Sequence, residues 1–176
     1  MKKMWAGLFV LAVTMGSVPA FGADDTAPVR EIIEATARNW EEGSSGQEED
    51  VFSEDRLNRL FSAEFAAAFR AASKNPPMDI PEGETTGFPF DCDPIAQGQD
   101  GCPFQNICIE DDGDGQVTAL FNNRNCYPDT ADAPDTVLIF HVVTEKSLPL
   151  IDDIYPVVDG NSGSSIKQEL KLQGAE

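Results

Sequence analysis

TVLIFHVVTEKSLPLIDDIYPVV, Thr136 to Val158, is two apolar runs joined at Glu145-Lys146-Ser147-Leu148. Runs rich in Val, Ile, Phe and Tyr and broken by a short polar step predict antiparallel strands over Thr136 to Glu145 and Leu148 to Val158. With Lys146-Ser147 as the whole connection, Glu145 faces Leu148, and counting back sets His141, the only histidine, across from Asp152. Residues paired in this way hold their Cβ atoms roughly 4.5 to 5.5 Å apart. His141 and Asp152 are therefore the candidate catalytic residues, Asp152 orienting His141 as a base. The plainer reading is a structural pair in a sheet, and an odd-length turn would exchange Asp152 for Asp153 or Ile151.

Upstream, Asn106 to Asp111 and Gln116 to Asn122 have the same β-rich character, so four strands follow one another as a meander. Before them the period is helical. Val29, Ile32, Ile33, Ala37 and Trp40 form one face and Gly43 closes the run; Ser53 then starts a stretch carrying Leu57, Leu60 and Phe61. Ser62 starts a further helix with Phe65, Ala66, Phe69 and Ala72 on one side. After a loop at Gly160 to Gly163, Ser165 and Gln168 have capping-box spacing for a short final helix. Helices first and an antiparallel meander after them define an α+β domain with the helices on one face of a curved sheet.

Met1-Lys2-Lys3, the apolar run Trp5 to Val13 and small residues at Val18-Pro19-Ala20 or Ala20-Phe21-Gly22 read as a signal peptide over 1–22, leaving one domain over 23–176. No cysteine lies near the cleavage site to carry a lipid, so the expected location is periplasmic or secreted. The formal net charge of −19 becomes about −21 when Lys2 and Lys3 leave. That charge excludes nucleic acid and anionic membranes as partners and suits a cationic one, although acidity also serves solubility alone.

Cys92, Cys102, Cys108 and Cys126 make an even count for an oxidising compartment. Their spacing lacks the close C-x-x-C pairs of structural zinc sites, so disulfides are expected. With Asp112 to Gly115 as a hairpin turn, Asp111 opposes Gln116, Cys108 opposes Ala119, and Cys126 comes near Cys102. Cys92 would then pair with Cys108; the rival pairing is Cys92 with Cys102.

A long irregular loop at about 75–104 is broken by Pro76, Pro77, Pro81 and Pro89, and runs of that length are commonly functional. Its FDCDPIAQGQDGCPF stretch offers Asp91, Asp93, Gln99 and Asp100 as candidate ligand-binding residues, beside a reading in which the aspartates cap turn amides. The second acidic cluster, Glu110 to Val117, fits the first half of a calcium loop but puts Phe121 where the closing bidentate Glu belongs. An acidic hairpin turn is the expectation there.

Several pieces resemble a family of small exported bacterial proteins catalogued as a domain of unknown function, with a cone fold similar to nuclear-transport-factor-two-like proteins. They are the opening helix, DRLNRLFSAEF from Asp55 to Phe65, the D-x-D-P and G-Q-D residues at Asp91 to Pro94 and Gly98 to Asp100, I-D-D-I-Y from Ile151 to Tyr155, and the helix after Ser165. Ser147-Leu148-Pro149-Leu150, where the family has a glycine turn and a tryptophan, and the four cysteines depart from that pattern. The resemblance implies a periplasmic domain with no assigned catalytic residues. No Ser-His-Asp order, phosphate-binding glycine loop or metal spacing is present, so no cofactor is expected. The expected function is a non-catalytic module that binds a small ligand or a protein partner. The alternative is a small lyase or isomerase using His141 and Asp152 in a cone cavity.

Overall fold

The computed structural model describes residues 24–75, 88–99, 102–126, 128 and 133–175; the expected leader and residues 76–87 lie outside them. Three helices, α1 (Thr26–Asn39), α2 (Glu54–Leu60) and α3 (Ala63–Ala72), precede the strands β1 (Gln105–Gly113), β2 (Gln116–Asn122), β3 (Thr136–Glu145), β4 (Leu148–Val158) and β5 (Asn161–Ser162), and α4 (Ile166–Gln173) follows. The class is α+β, as expected.

Three of the four helices begin on serines. The hydroxyls of Ser53, Ser62 and Ser165 accept the backbone N–H of Arg56, Phe65 and Gln168 at 3.4, 3.0 and 2.9 Å, satisfying donors that a helix start leaves unpaired. In α1 the buried residues Val29, Ile32, Ile33 and Thr36 fall at helical spacing. Thr36 turns its hydroxyl back onto the Ile32 carbonyl at 3.0 Å. Ala37 and Trp40, expected on that face, are only half-buried, and Trp40 lies just past the end of α1 at Asn39.

The sheet is antiparallel in the order β1-β2-β3-β4-β5, so the expected four strands are five. Asn161-Ser162, read as loop, pairs with Val157 and Val158. The hairpins β1–β2, β3–β4 and β4–β5 each turn on two residues with positive φ: Asp114-Gly115 at 55° and 76°, Lys146-Ser147 at 51° and 67°, and Asp159-Gly160 at 51° and 75°. That backbone matches the right-handed twist of the flanking strands. Gly115 is also held by a close approach, since a Cβ there would meet the Val142 carbonyl oxygen at 2.5 Å.

The tight turn at Asp114-Gly115 shifts the first hairpin from its expected register. Asp111 opposes Val117 and Cys108 opposes Leu120, with irregularities between Gln105 and Cys108 and between Asp111 and Gly113. One hydrophobic cluster joins the helices to one face of the sheet, with Phe61, Phe65, Phe121, Phe140, Ile32 and Ile154 fully or almost fully buried. Phe61 and Phe65 stack with ring centroids 4.6 Å apart, so large aromatic side chains fill the space between helices and sheet.

Candidate functional site

Glu145 opposes Leu148 as the two-residue turn requires, yet His141 opposes Asp153, not Asp152. A bulge intervenes: Val142 opposes Ile151, which leaves Asp152 as an extra residue on β4. The expected His141–Asp152 pair is therefore not formed. His141 is exposed and lies against Tyr155 with ring centroids 4.7 Å apart, outside the buried cluster.

Both aspartates face helix starts instead. Asp152 accepts the Ser62 hydroxyl at 2.7 Å and the Lys167 ammonium at 2.7 Å, and Lys167 reaches on to Glu64 at 3.3 Å. Burial pushes the Asp152 carboxyl up, but the bonds from Lys167 and Ser62 outweigh it and hold the group below the usual carboxylate range. Asp153 is only 4% exposed. It accepts the backbone N–H groups of Ile154 and Lys167 at 2.8 and 3.0 Å and the Ser165 hydroxyl at 2.5 Å. Burial, followed by the hydrogen bond to Asp153, raises the Tyr155 phenol above its ordinary value. Asp152 thus fastens α3 to β4, and Asp153 fastens α4 to it. Both oxygens of each carboxylate accept from structural donors.

In the loop before β1, Asp93 is structural in the same sense. One carboxylate oxygen accepts the N–H groups of Ile95 and Ala96 at 2.8 and 3.0 Å and the other accepts the Trp40 indole at 3.0 Å. This is the turn-capping reading of the aspartate. Ile95 and Ala96 are buried in consequence, and Asn123 locks them by donating to the Ala96 carbonyl at 2.7 Å. Asp91 is exposed and its carbonyl accepts the Gln99 side chain at 3.0 Å. Asp100 lies outside the described residues. Among the described residues no group of three or more His, Cys, Asp or Glu side chains is placed to hold a metal ion.

Cys102 and Cys126 form a disulfide across a Cα–Cα distance of 5.6 Å, as the hairpin register predicts. Cys92 and Cys108 are free and exposed, so neither Cys92–Cys108 nor Cys92–Cys102 is made. The one-residue register shift and the irregularity at Gln105 to Cys108 change where Cys108 stands on β1. Both thiols are held protonated above their ordinary value. Burial followed by Asp93 and Asp91 does this for Cys92, and a hydrogen bond to Glu110 does it for Cys108.

One recess lies between α2, α3 and the β3–β4 hairpin, and its volume is about 480 Å³. The buried Leu57, Phe61, Ala66 and Leu150 give it an apolar floor, and the exposed Ala63, Leu148, Arg59 and Lys146 and the half-buried Arg70 line it toward solvent at the rim. Arg59 is already engaged with Glu31 at 2.5 Å and Asp55 at 3.4 Å, and Arg70 with Glu54 at 2.7 Å. Lys146, on the left-handed hairpin turn, makes no ion pair among the described residues. Glu145 at the same rim accepts the Ala63 N–H at 3.3 Å. A second recess of about 420 Å³, with Phe52, Phe69 and Phe88 in its wall, lies one residue from the undescribed stretch 76–87.

Sequence reasoning missed this groove. The sequence shows there only Leu148 following Lys146-Ser147 at the turn, and the structure leaves that leucine 58% exposed. Comparison with protein-family models, with curated proteins and with solved structures returned no match. The fold and groove together describe an α+β domain with a helix-covered sheet and a lateral apolar recess.

Proposed function

We propose that this chain is a non-catalytic binding module that holds a small ligand in the groove between α2–α3 and the β3–β4 hairpin. The carrying observation is the groove itself, whose volume of about 480 Å³ falls within the roughly 300 to 1,000 Å³ typical of small-molecule sites. An apolar floor with a few polar groups at the rim is the general composition of such sites. The lyase or isomerase alternative needed a His141–Asp152 base within a cavity. His141 is exposed against Tyr155, and Asp152 is engaged by Ser62 and Lys167.

An exported, periplasmic setting and a cone-like architecture belong to the same proposal. The Cys102–Cys126 bridge supports an oxidising compartment, and no helix among the described residues is long and apolar enough to cross a membrane. Native mass spectrometry of the chain purified from its own source tests the function. A bound small molecule is expected on the wild type and is expected to be lost from Ala63→Trp, which fills the groove from an exposed position. A ligand retained unchanged by Ala63→Trp would place binding elsewhere and overturn the reading.

A further inference from the structure

We infer that the ligand of this groove is a small amphipathic carboxylate, its tail on the apolar floor and its head at Lys146; this rests on the groove being the binding site. The inference starts from where the cations are. In a chain of formal net charge −19, with 12 basic residues in all, Arg59, Arg70 and Lys146 surround one recess.

The three cations are not equivalent. Arg59 and Arg70 hold carboxylates of α1 and α2 and so brace the wall. Lys146 holds none among the described residues and is exposed, a compact ammonium with its donors turned to solvent. Glu145, the acidic residue in the lining, is turned onto the Ala63 N–H.

The tail follows from what adjoins that ammonium. Leu148 stands two residues from Lys146, 58% exposed, and Leu150 and Ala66 continue the apolar surface inward. An aliphatic chain laid along this surface buries apolar area on Leu148 and Leu150 while its charged end stays at the rim. A cationic amphipath would place its head against Lys146 with no gain, since the arginine charges beside it are already balanced by Glu31, Asp55 and Glu54. A neutral one would leave the ammonium unused.

Three probes of equal chain length test this on the full chain by following backbone amide shifts of Leu57, Ala63, Ala66 and Leu148: octanoate, 1-octanol and octylammonium. Octanoate is expected to bind most tightly and octylammonium least. Lys146→Asn, which suits the left-handed backbone there, is expected to weaken octanoate by about 1.5- to fivefold, the range of one exposed ion pair. Lys146→Arg is expected to keep it. Octanol or octylammonium binding as well as octanoate, or Lys146→Asn leaving octanoate unchanged, would refute the carboxylate while leaving the groove as a site. No shift at the groove with any probe would refute the groove itself.

Discussion

The sheet has two edges, and the chain treats them in opposite ways. Along β4, the segment between α2 and α3 pairs through a Phe61–Ile151 bridge, with the Ser62 N–H on the Ile151 carbonyl at 2.8 Å, and β5 covers the far end. Asp152 and Asp153 then tie two helix starts to the same strand. Among the described residues β1 pairs only with β2, is exposed along almost its whole length, and is irregular toward both ends. Its second half carries Glu110, Asp111 and Asp112. Bulges and charge are how an open edge resists pairing with another chain. One edge is closed by hydrogen bonds made deep in the fold, and the other is kept soluble by its own residues. Stability should therefore concentrate at β4 and be nearly indifferent to β1.

The largest effect is expected from Asp153→Ala. It removes a buried acceptor from two backbone N–H groups and a serine hydroxyl, and should cost about 3 to 5 kcal/mol in urea denaturation. A cost below about 1 kcal/mol would erase the contrast between the edges.

Next is Asp152→Asn, which keeps an acceptor for Ser62 but ends the charge pair with Lys167; about 1 to 2 kcal/mol is expected. The pair holds the folded pKa of Asp152 below its unfolded value and that of Lys167 above its own. Its contribution is thus complete between the unfolded pKa values, near 3.9 and 10.4. It fades as pH falls through the lowered carboxyl pKa or rises through the raised ammonium pKa. The mutant should lose less stability than the wild type on acidification toward pH 3. A parallel fall of both proteins would contradict the pairing.

At β1, Ile107→Thr, at a position 41% exposed, should change stability by no more than about 0.5 kcal/mol. A larger loss would mean that this edge is covered in solution. The smallest perturbation is chemical. Alkylation without reductant should label Cys92 and Cys108 and spare Cys102 and Cys126, slowly near pH 7 because both thiols are held above their ordinary pKa. A Cys92–Cys108 link in peptide mapping would contradict the position of β1.

What was legible in the sequence divides along the same line. The serine caps, the helical faces and the strand runs are short-range patterns, and the structure has them nearly where expected. The Cys102–Cys126 bridge followed from hairpin register even though that register was off by one, because both cysteines lie beyond the irregular end of β1. The β4 bulge was the decisive miss. A correct two-residue turn fixed the start of the β3–β4 ladder, and every residue past Asp152 then moved by one. A signal was present: Ile151 and Ile154 are both fully buried though three apart, a spacing that one face of a regular strand does not allow. Two adjacent aspartates between them mark the place. The groove was illegible because it joins Leu57 to Leu148, residues that only the tertiary fold brings together.

Native-state hydrogen exchange tests the closure of the β4 edge most directly. The Ser62 N–H, on the Ile151 carbonyl, and the Lys167 N–H, on Asp153, should open only with free energies near that of global unfolding, and Asp153→Asn should lower the Lys167 value selectively. Exchange of both amides in the wild type as fast as that of the exposed Asp114-Gly115 turn would contradict the account.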